Sequence, residues 1–254
     1  MSFQENKDEW ESKAREAPLR SIACDLGTDE NTFWSSGEVI ARALLDALGL
    51  AETAGMKLLD FGCGVGRLDG LFARDFAEVT GVDISSEMIA RAKIHHSEEK
   101  KLIFMTTDEG LTTIRSSYFD VAVSYKVFQH LPKATTKSYV TLLRRKIRDG
   151  GWFIFQIPDA RSLKLSRFVG MRFWLTVGAR IAKYHSFGVS NSDFNTLRFF
   201  HPAEIRQLLR SSGFSNVSMS NEIVQIGSSH RDTGSLIVIA QALGCKPSEK
   251  DSSF

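Results

Sequence analysis

Residues 58–67 read LLDFGCGVGR. A short apolar run ends in three alternating glycines, Gly62, Gly64 and Gly66, and residues 68–76 after them carry a helical pattern. Glycines at such a turn let the backbone take torsions closed to other residues and approach a ligand closely. The apolar run, 57–61, predicts a buried parallel strand. A second strand, 78–82, ends at Asp83, 21 positions beyond Gly62. An acid at that place can accept both hydroxyl hydrogens of a ribose. Strand, glycine turn, helix and a strand closed by an acid make a nucleoside-binding constellation.

The spacing narrows the nucleoside. Dinucleotide sites use GxGxxG, so that a helix N-terminus can receive a pyrophosphate. Here Arg67 stands where the last glycine would be, and Asp60 sits two positions before the first. A carboxylate there repels phosphate and suits an ammonium. The expected ligand is a nucleoside with a positively charged amino-acid tail; a phosphate-bearing cofactor is the alternative.

Outward from the loop, strands and helices alternate over residues 57–157. Helix 86–95 is expected to be capped by Ser85 or Ser86. Strands follow at 102–105 and 119–124, then helix 135–148, whose basic end suits the helix dipole. Gly150-Gly151 breaks that helix, and strand 152–157 stops at Pro158. This alternation implies a doubly wound α/β sheet. Helix 202–211 and two late strands, 217–226 and 235–240, complete the pattern. Joined without a helix, those two would be antiparallel. Upstream, a polar arm predicts a helix over 5–16 ended by Pro18, and an apolar stripe predicts another over 38–48.

Composition excludes several classes. With 254 residues, 43% hydrophobic and 24% charged, the chain has the make-up of an ordinary globular protein. A net charge of +2 forces neither nucleic acid nor membrane as partner. No apolar run approaches the ~20 residues of a bilayer span, and the polar, acidic N-terminus is unlike a secretory signal. The three cysteines, Cys24, Cys63 and Cys245, are far apart, which fits free thiols in a reducing compartment and a cytoplasmic setting. The six histidines show no metal-ligand spacing, so no metal is expected.

The chain resembles the class I S-adenosylmethionine-dependent methyltransferases. LLDFGCGVGR resembles their first motif, GVDISSEMIARAK (81–93) the stretch around the ribose acid, FDVAVSYKVFQHLP (119–132) the fourth strand and its loop, and DGGWFIFQIPD (149–159) the fifth strand. The resemblance implies a Rossmann-like seven-stranded sheet with an antiparallel C-terminal pair. It implies S-adenosyl-L-methionine as cofactor and S-adenosyl-L-homocysteine as product. Asp60, Phe61, Gly62, Gly64 and Gly66 would hold the methionine tail, Asp83 and Ile84 the ribose, and Met88 the adenine edge. Asp108, with Glu109 as its neighbour, would meet the adenine amino group. Ser124 and Tyr125 would lie by the sulfonium, where an aromatic face attracts a cation. Trp34 and Gly37 would help close the cofactor in.

Methyl transfer to a hydroxyl or ammonium needs a proton acceptor, and a histidine titrating near neutrality suits it. His130 and His201 are the candidates, with His185 and Asp193 behind them. The expected organisation is an N-terminal helical cap (1–50), a cofactor-binding core (51–158), a lid insertion (159–200), a closing helix and strand pair (201–243) and a tail (244–254). Residues 159–198 hold seven Lys or Arg against Asp159 and Asp193, interleaved with apolar residues. They read as a lid with a solvated basic face, or as a pocket for an acidic or lipid-like substrate; weak membrane-surface contact through 160–185 is a further reading. Residues 124–127 read SYKV rather than the [ND]PP[YF] of many nucleobase-methylating enzymes, which favours a small-molecule acceptor over nucleic acid. A tRNA or protein substrate, a dehydrogenase, and a non-catalytic nucleoside-binding module are the alternatives. Oxygen and nitrogen both stay open as acceptor, and the sequence leaves the oligomeric state unassigned.

Overall fold

The computed structural model describes residues 3–22, 29–162, 197–226 and 229–244. Seven strands form one sheet in the order β3-β2-β1-β4-β5-β7-β6. Strands β1 (Lys57–Phe61), β2 (Glu78–Asp83), β3 (Leu102–Thr106), β4 (Phe119–Ser124) and β5 (Ile147–Pro158) run parallel. β7 (Ser229–Ala242) lies antiparallel to β5, and β6 (Phe214–Ile226) antiparallel to β7. The doubly wound sheet with its antiparallel closing pair is therefore as expected.

The helices are α1 (Phe3–Glu16), α2 (Pro18–Ile22), α3 (Glu30–Leu48), α4 (Asp69–Asp75), α5 (Ser86–His95), α6 (Thr107–Thr113), α7 (Lys133–Lys146) and α8 (Pro202–Ser211). Successive strand residues face opposite sides of the sheet, and the core divides accordingly. Leu59, Phe61, Ala122, Phe153 and Phe155 pack with Tyr139, Val140 and Leu143 of α7 and with Ile205 and Leu209 of α8. Leu58, Val121, Val123 and Ile154 pack with Ala41, Leu44 and Leu48 of α3 and with Leu71 and Phe72 of α4. Each fully buried Phe or Leu contributes about 1.5–3 kcal/mol by leaving water, so both faces hold the strands in register.

Several elements depart from the expected bounds. α3 starts at Glu30 rather than 38, because Asp29 accepts a hydrogen bond from Thr32 N (2.8 Å) and caps it early. Pro18 ends α1 but opens α2, at the helix start where its missing N–H costs nothing. α6 was not expected; its Thr106–Glu109 capping box nucleates a turn within a polar stretch that lacks an apolar stripe. The late strands are longer than their apolar alternation suggested, since each pairs along its whole length. The arrangement matters for function: β1 lies between β2 and β4, where chain connections diverge, and that crevice at the strands' C-terminal ends is where open α/β sheets bind ligands.

Candidate active site

The glycine turn sits in that crevice. Gly62 N and Cys63 N donate to Val82 O (2.7 and 3.1 Å), tying the turn to β2. Gly62 has φ +85° and Gly64 φ +56°, a left-handed region that disfavours side chains. A Cβ on Gly62 would stand 2.1 Å from Val127 Cγ2, and one on Gly64 2.7 Å from Ile22 Cδ1. Asp83 is clamped against the same turn: Gly64 N donates to Oδ2 and Ser85 N to Oδ1, both at 2.9 Å. Burial nonetheless pushes its carboxyl up to about 6, against the pull of those two hydrogen bonds.

Behind the turn lie two more acids. Asp60 is 2% exposed and Asp69 fully buried. Burial first, then the charges of Asp69 and Asp83, push the Asp60 carboxyl well above the usual carboxylate range. Burial also raises Asp69 to about 7, although a hydrogen bond from Asp60 holds it down. With both ionised, the Asp69 oxygens find no donor of good geometry; with Asp60 protonated, its hydroxyl donates to Asp69. Asp60 walls a small cavity of about 30 Å³ together with Ile22, Gly62, Cys63, Arg67, Leu68, Tyr125 and Lys126.

That cavity adjoins a cleft of about 530 Å³. Its floor is Phe61, Gly62, Gly64, Asp83, Ile84, Met88 and Thr107; one wall is Tyr125 to Leu131 without Phe128, with Tyr139. Asn6, Trp10 and Lys13 of α1 and Arg20 and Ile22 of α2 form the cover. Glu11 fixes this cover to the core. Its carboxylate accepts from Ser85 Oγ (2.9 Å), Ser86 N and Oγ (both 2.7 Å) and Glu87 N (3.2 Å), at the start of α5. Burial raises the Glu11 carboxyl, but these hydrogen bonds outweigh it and hold it below its usual value. Trp10 meets the His130 ring edge-on at 5.2 Å. Gln129 Nε2 lies 3.0 Å from His130 Nε2; an amide nitrogen donates, so that ring nitrogen accepts.

The expected site residues divide. Phe61, Gly62, Gly64, Asp83, Ile84, Met88, Tyr125 and His130 line the cleft, and Asp60 the small cavity beside it. Tyr125 is held from outside the motif, its hydroxyl donating to Glu222 Oε1 at 2.6 Å. Ser124 does not line either space: its hydroxyl donates to Phe61 O (2.9 Å) and locks β4 to the end of β1. Gly66 is turned away, towards His96, whose Nε2 lies 2.9 Å from Gly66 O. Thr107, not Asp108 or Glu109, reaches the cleft. Glu109 folds back on Thr106 N and Oγ1 (both 3.4 Å), and exposed Asp108 stands near Tyr139. Burial, then Asp108, push the Tyr139 phenol up to about 12. His201 is exposed and caps α8, accepting from Ala203 N at 3.3 Å, so it stands outside the cleft. Trp34 stacks on His95 (3.7 Å, 2° between planes) and Gly37 packs on Arg67, so the closing element is α1–α2 instead. His185 and Asp193 lie outside the described residues. Asn6, Trp10, Glu11 and Asp69 were missed, for the arm carries no motif and Asp69 reads as a helix-start acid.

A family described as a methyltransferase domain matches residues 33–219. The chain belongs to that family, the class I S-adenosylmethionine-dependent methyltransferases. Among curated relatives, this methyltransferase is 28% identical over 205 residues to a ubiquinone biosynthesis O-methyltransferase of Azoarcus sp. (strain BH72), covering 77% of this chain and 82% of the relative. Its fold is similar to that of magnesium protoporphyrin IX methyltransferase from Synechocystis PCC 6803 with bound SAH (TM-score 0.61, 22% identity, 93% of this chain and 97% of that one). A Burkholderia thailandensis 1,6-didemethyltoxoflavin-N1-methyltransferase is similar too (TM-score 0.60, 15% identity, 94% and 87%).

The residues present fit S-adenosylmethionine. The glycine cradle leaves no room for side chains, Asp60 offers a buried carboxyl to an ammonium, and Asp83 presents an ordered carboxylate. Asn6 Oδ1, buried in the cover and without a hydrogen-bond partner among the described residues, leaves an acceptor for a ligand donor. Among the described residues no helix is long and apolar enough to cross a membrane.

Proposed function

We propose that this methyltransferase moves a methyl group by in-line displacement to an oxygen of a small, largely apolar acceptor. The observation that carries the reading is the pairing of Asp60 and Asp83 on either side of the Gly62–Gly64 turn, under an α1–α2 cover. The name of the Azoarcus relative supports oxygen over nitrogen. S-adenosylmethionine, when bound, supplies a sulfonium-activated methyl. Asp83 orients the ribose, Asp60 takes the ammonium, and Met88 and Ile84 flank the base. Thr107 takes the place assigned in sequence to Asp108 and Glu109. Alignment and exclusion of water by the cover then lower the barrier. His130 stands on the acceptor side, and its Nε2 lone pair, which the Gln129 amide holds in the empty cleft, receives the proton the attacking hydroxyl loses once the acceptor displaces that amide. Trp10 and Tyr139 give that side an aromatic surface.

The basic residues of the lid assigned to 159–200 suit an acidic or lipid-like acceptor; most of that segment lies outside the described residues. Nucleic acid has no part in the reading, and the widely spaced cysteines favour a reducing compartment, the cytoplasm. The test incubates the enzyme with methyl-labelled S-adenosylmethionine and separate pools of phenols, hydroxy acids, amines, tRNA and protein. Label in a phenolic or enolic small molecule supports the proposal, with turnover reduced in His130→Gln. Label only in amines, tRNA or protein overturns it.

A further inference from the structure

Asp69 opens α4 directly behind Asp60, and nothing in the cofactor reading uses it. Both side chains are more than nine-tenths buried. Asp60 faces the small cavity, and the charges that act on it are those of Asp69 and Asp83. Among the described residues, Asp69 has its own backbone N–H, Asp60 and the Cys63 thiol near it, and neither of its oxygens has a hydrogen-bond partner while both acids are charged. Two adjacent carboxylates in a dry site cannot both ionise cheaply. Something must neutralise the pair, and among the described residues no cation is in hydrogen-bonding contact with it. Arg67 shares the cavity, where its guanidinium donates to Ser36 Oγ (3.1 Å) and lies over the Phe33 ring (4.9 Å).

We propose that Asp60 and Asp69 hold one proton between them in the empty enzyme, and that the ammonium of the cofactor's amino-acid tail displaces it. Asp69 is thus a positioning residue: it accepts the Asp60 proton when the site is empty, and its charge holds the Asp60 carboxylate towards the ammonium when the site is filled. The exchange balances. One O–H bond on Asp60 breaks, the proton leaves to solvent, and an N–H to O contact with the ammonium replaces it. Binding at neutral pH then carries a proton release, and affinity falls as acid competes for the pair.

Other titratable groups face the pair. Asp83 on β2 titrates near 6, so the acidification is kept above about pH 7, and Cys63 in the turn is a thiol that burial holds neutral. Tyr125 and Lys126 border the cavity from the loop after β4. Glu11 of α1 lies beyond Asp83 and is held ionised by α5.

This inference rests on the cofactor reading above, and calorimetry separates the two. S-adenosylhomocysteine, which keeps the ammonium, is titrated into the whole protein at about pH 7.5 in phosphate and in Tris, whose ionisation heats differ; the difference counts protons. The expected count is about one released per ligand, with affinity falling up to tenfold per pH unit on acidification. Asp69→Asn is expected to cut the count by about half or more and to move the fall in affinity to lower pH. Asp60→Asn is expected to abolish the release and weaken binding. Heats independent of buffer in the wild-type protein overturn the shared proton, and so does a folded Asp69→Asn variant with the wild-type count. Absence of any binding overturns the cofactor reading instead.

Discussion

Replacing Asp69 by Asn should make the empty enzyme more stable, and only at higher pH. Asp69 is fully buried and titrates at about 7, some three pH units above an unfolded aspartate. An acid whose folded pKa lies above its unfolded value stabilises the fold below the unfolded value. That contribution is lost as pH climbs through the folded one. At about 1.4 kcal/mol per pH unit, the loss between roughly pH 4 and pH 7 has an upper bound of about 4 kcal/mol. Relaxation of the site and some solvent entry reduce this, so a difference of about 1–3 kcal/mol is expected. Asn is close to Asp in size and can donate to Asp60, which leaves packing unchanged. For a chain of this length each kcal/mol moves Tm by about 2–4 °C. Scanning calorimetry should therefore place Asp69→Asn roughly 3–10 °C above wild type near pH 8, with the gap closing near pH 5. A variant less stable than wild type by the same margin at both pH values would refute the buried-charge reasoning.

The remaining expectations concern the cradle and its cover. Gly62→Ala drives a methyl into Val127 at a φ of +85°, and should cost about 1–3 kcal/mol in urea denaturation while weakening S-adenosylhomocysteine binding. Asp83→Ala should weaken that binding by about 1–3 kcal/mol in calorimetry, the usual loss of a hydrogen bond to a charged group; an unchanged Kd in a folded variant counts against the ribose role. Glu11→Ala removes four bonds to the start of α5 and should release the cover. Hydrogen exchange in α1 should rise, at a cost of about 0.5–2 kcal/mol typical of a lost cap.

The sheet was legible in the sequence because its strands are short apolar runs punctuated by glycine and proline, and each lies buried between two helical layers. Asp60, Gly62, Gly64 and Asp83 were legible for a different reason: they occupy fixed places at strand ends, and topology alone delivers them to the crevice. Ser124 misled, because a polar residue at a strand end can point along the sheet to a neighbouring carbonyl as readily as into a cleft. Asp108 and Glu109 misled in the same way, since a capping box turned Glu109 back and left Thr107 facing inward. His201 read as a reactive group and serves as a cap. The cover was illegible as a site: the arm's Asn6, Trp10 and Glu11 come together with the core only through packing against α5 and the loop of His130, and no spacing in the chain records that contact.

A crevice shaped for adenosine joined to a charged amino-acid tail is tested by a pair of calorimetric titrations of the whole protein, one with S-adenosylhomocysteine and one with NAD. Saturable one-to-one binding of the thioether, weakened in Asp83→Ala and matched by no response to NAD, is the predicted result. Tight NAD binding with no heat from S-adenosylhomocysteine would contradict the account.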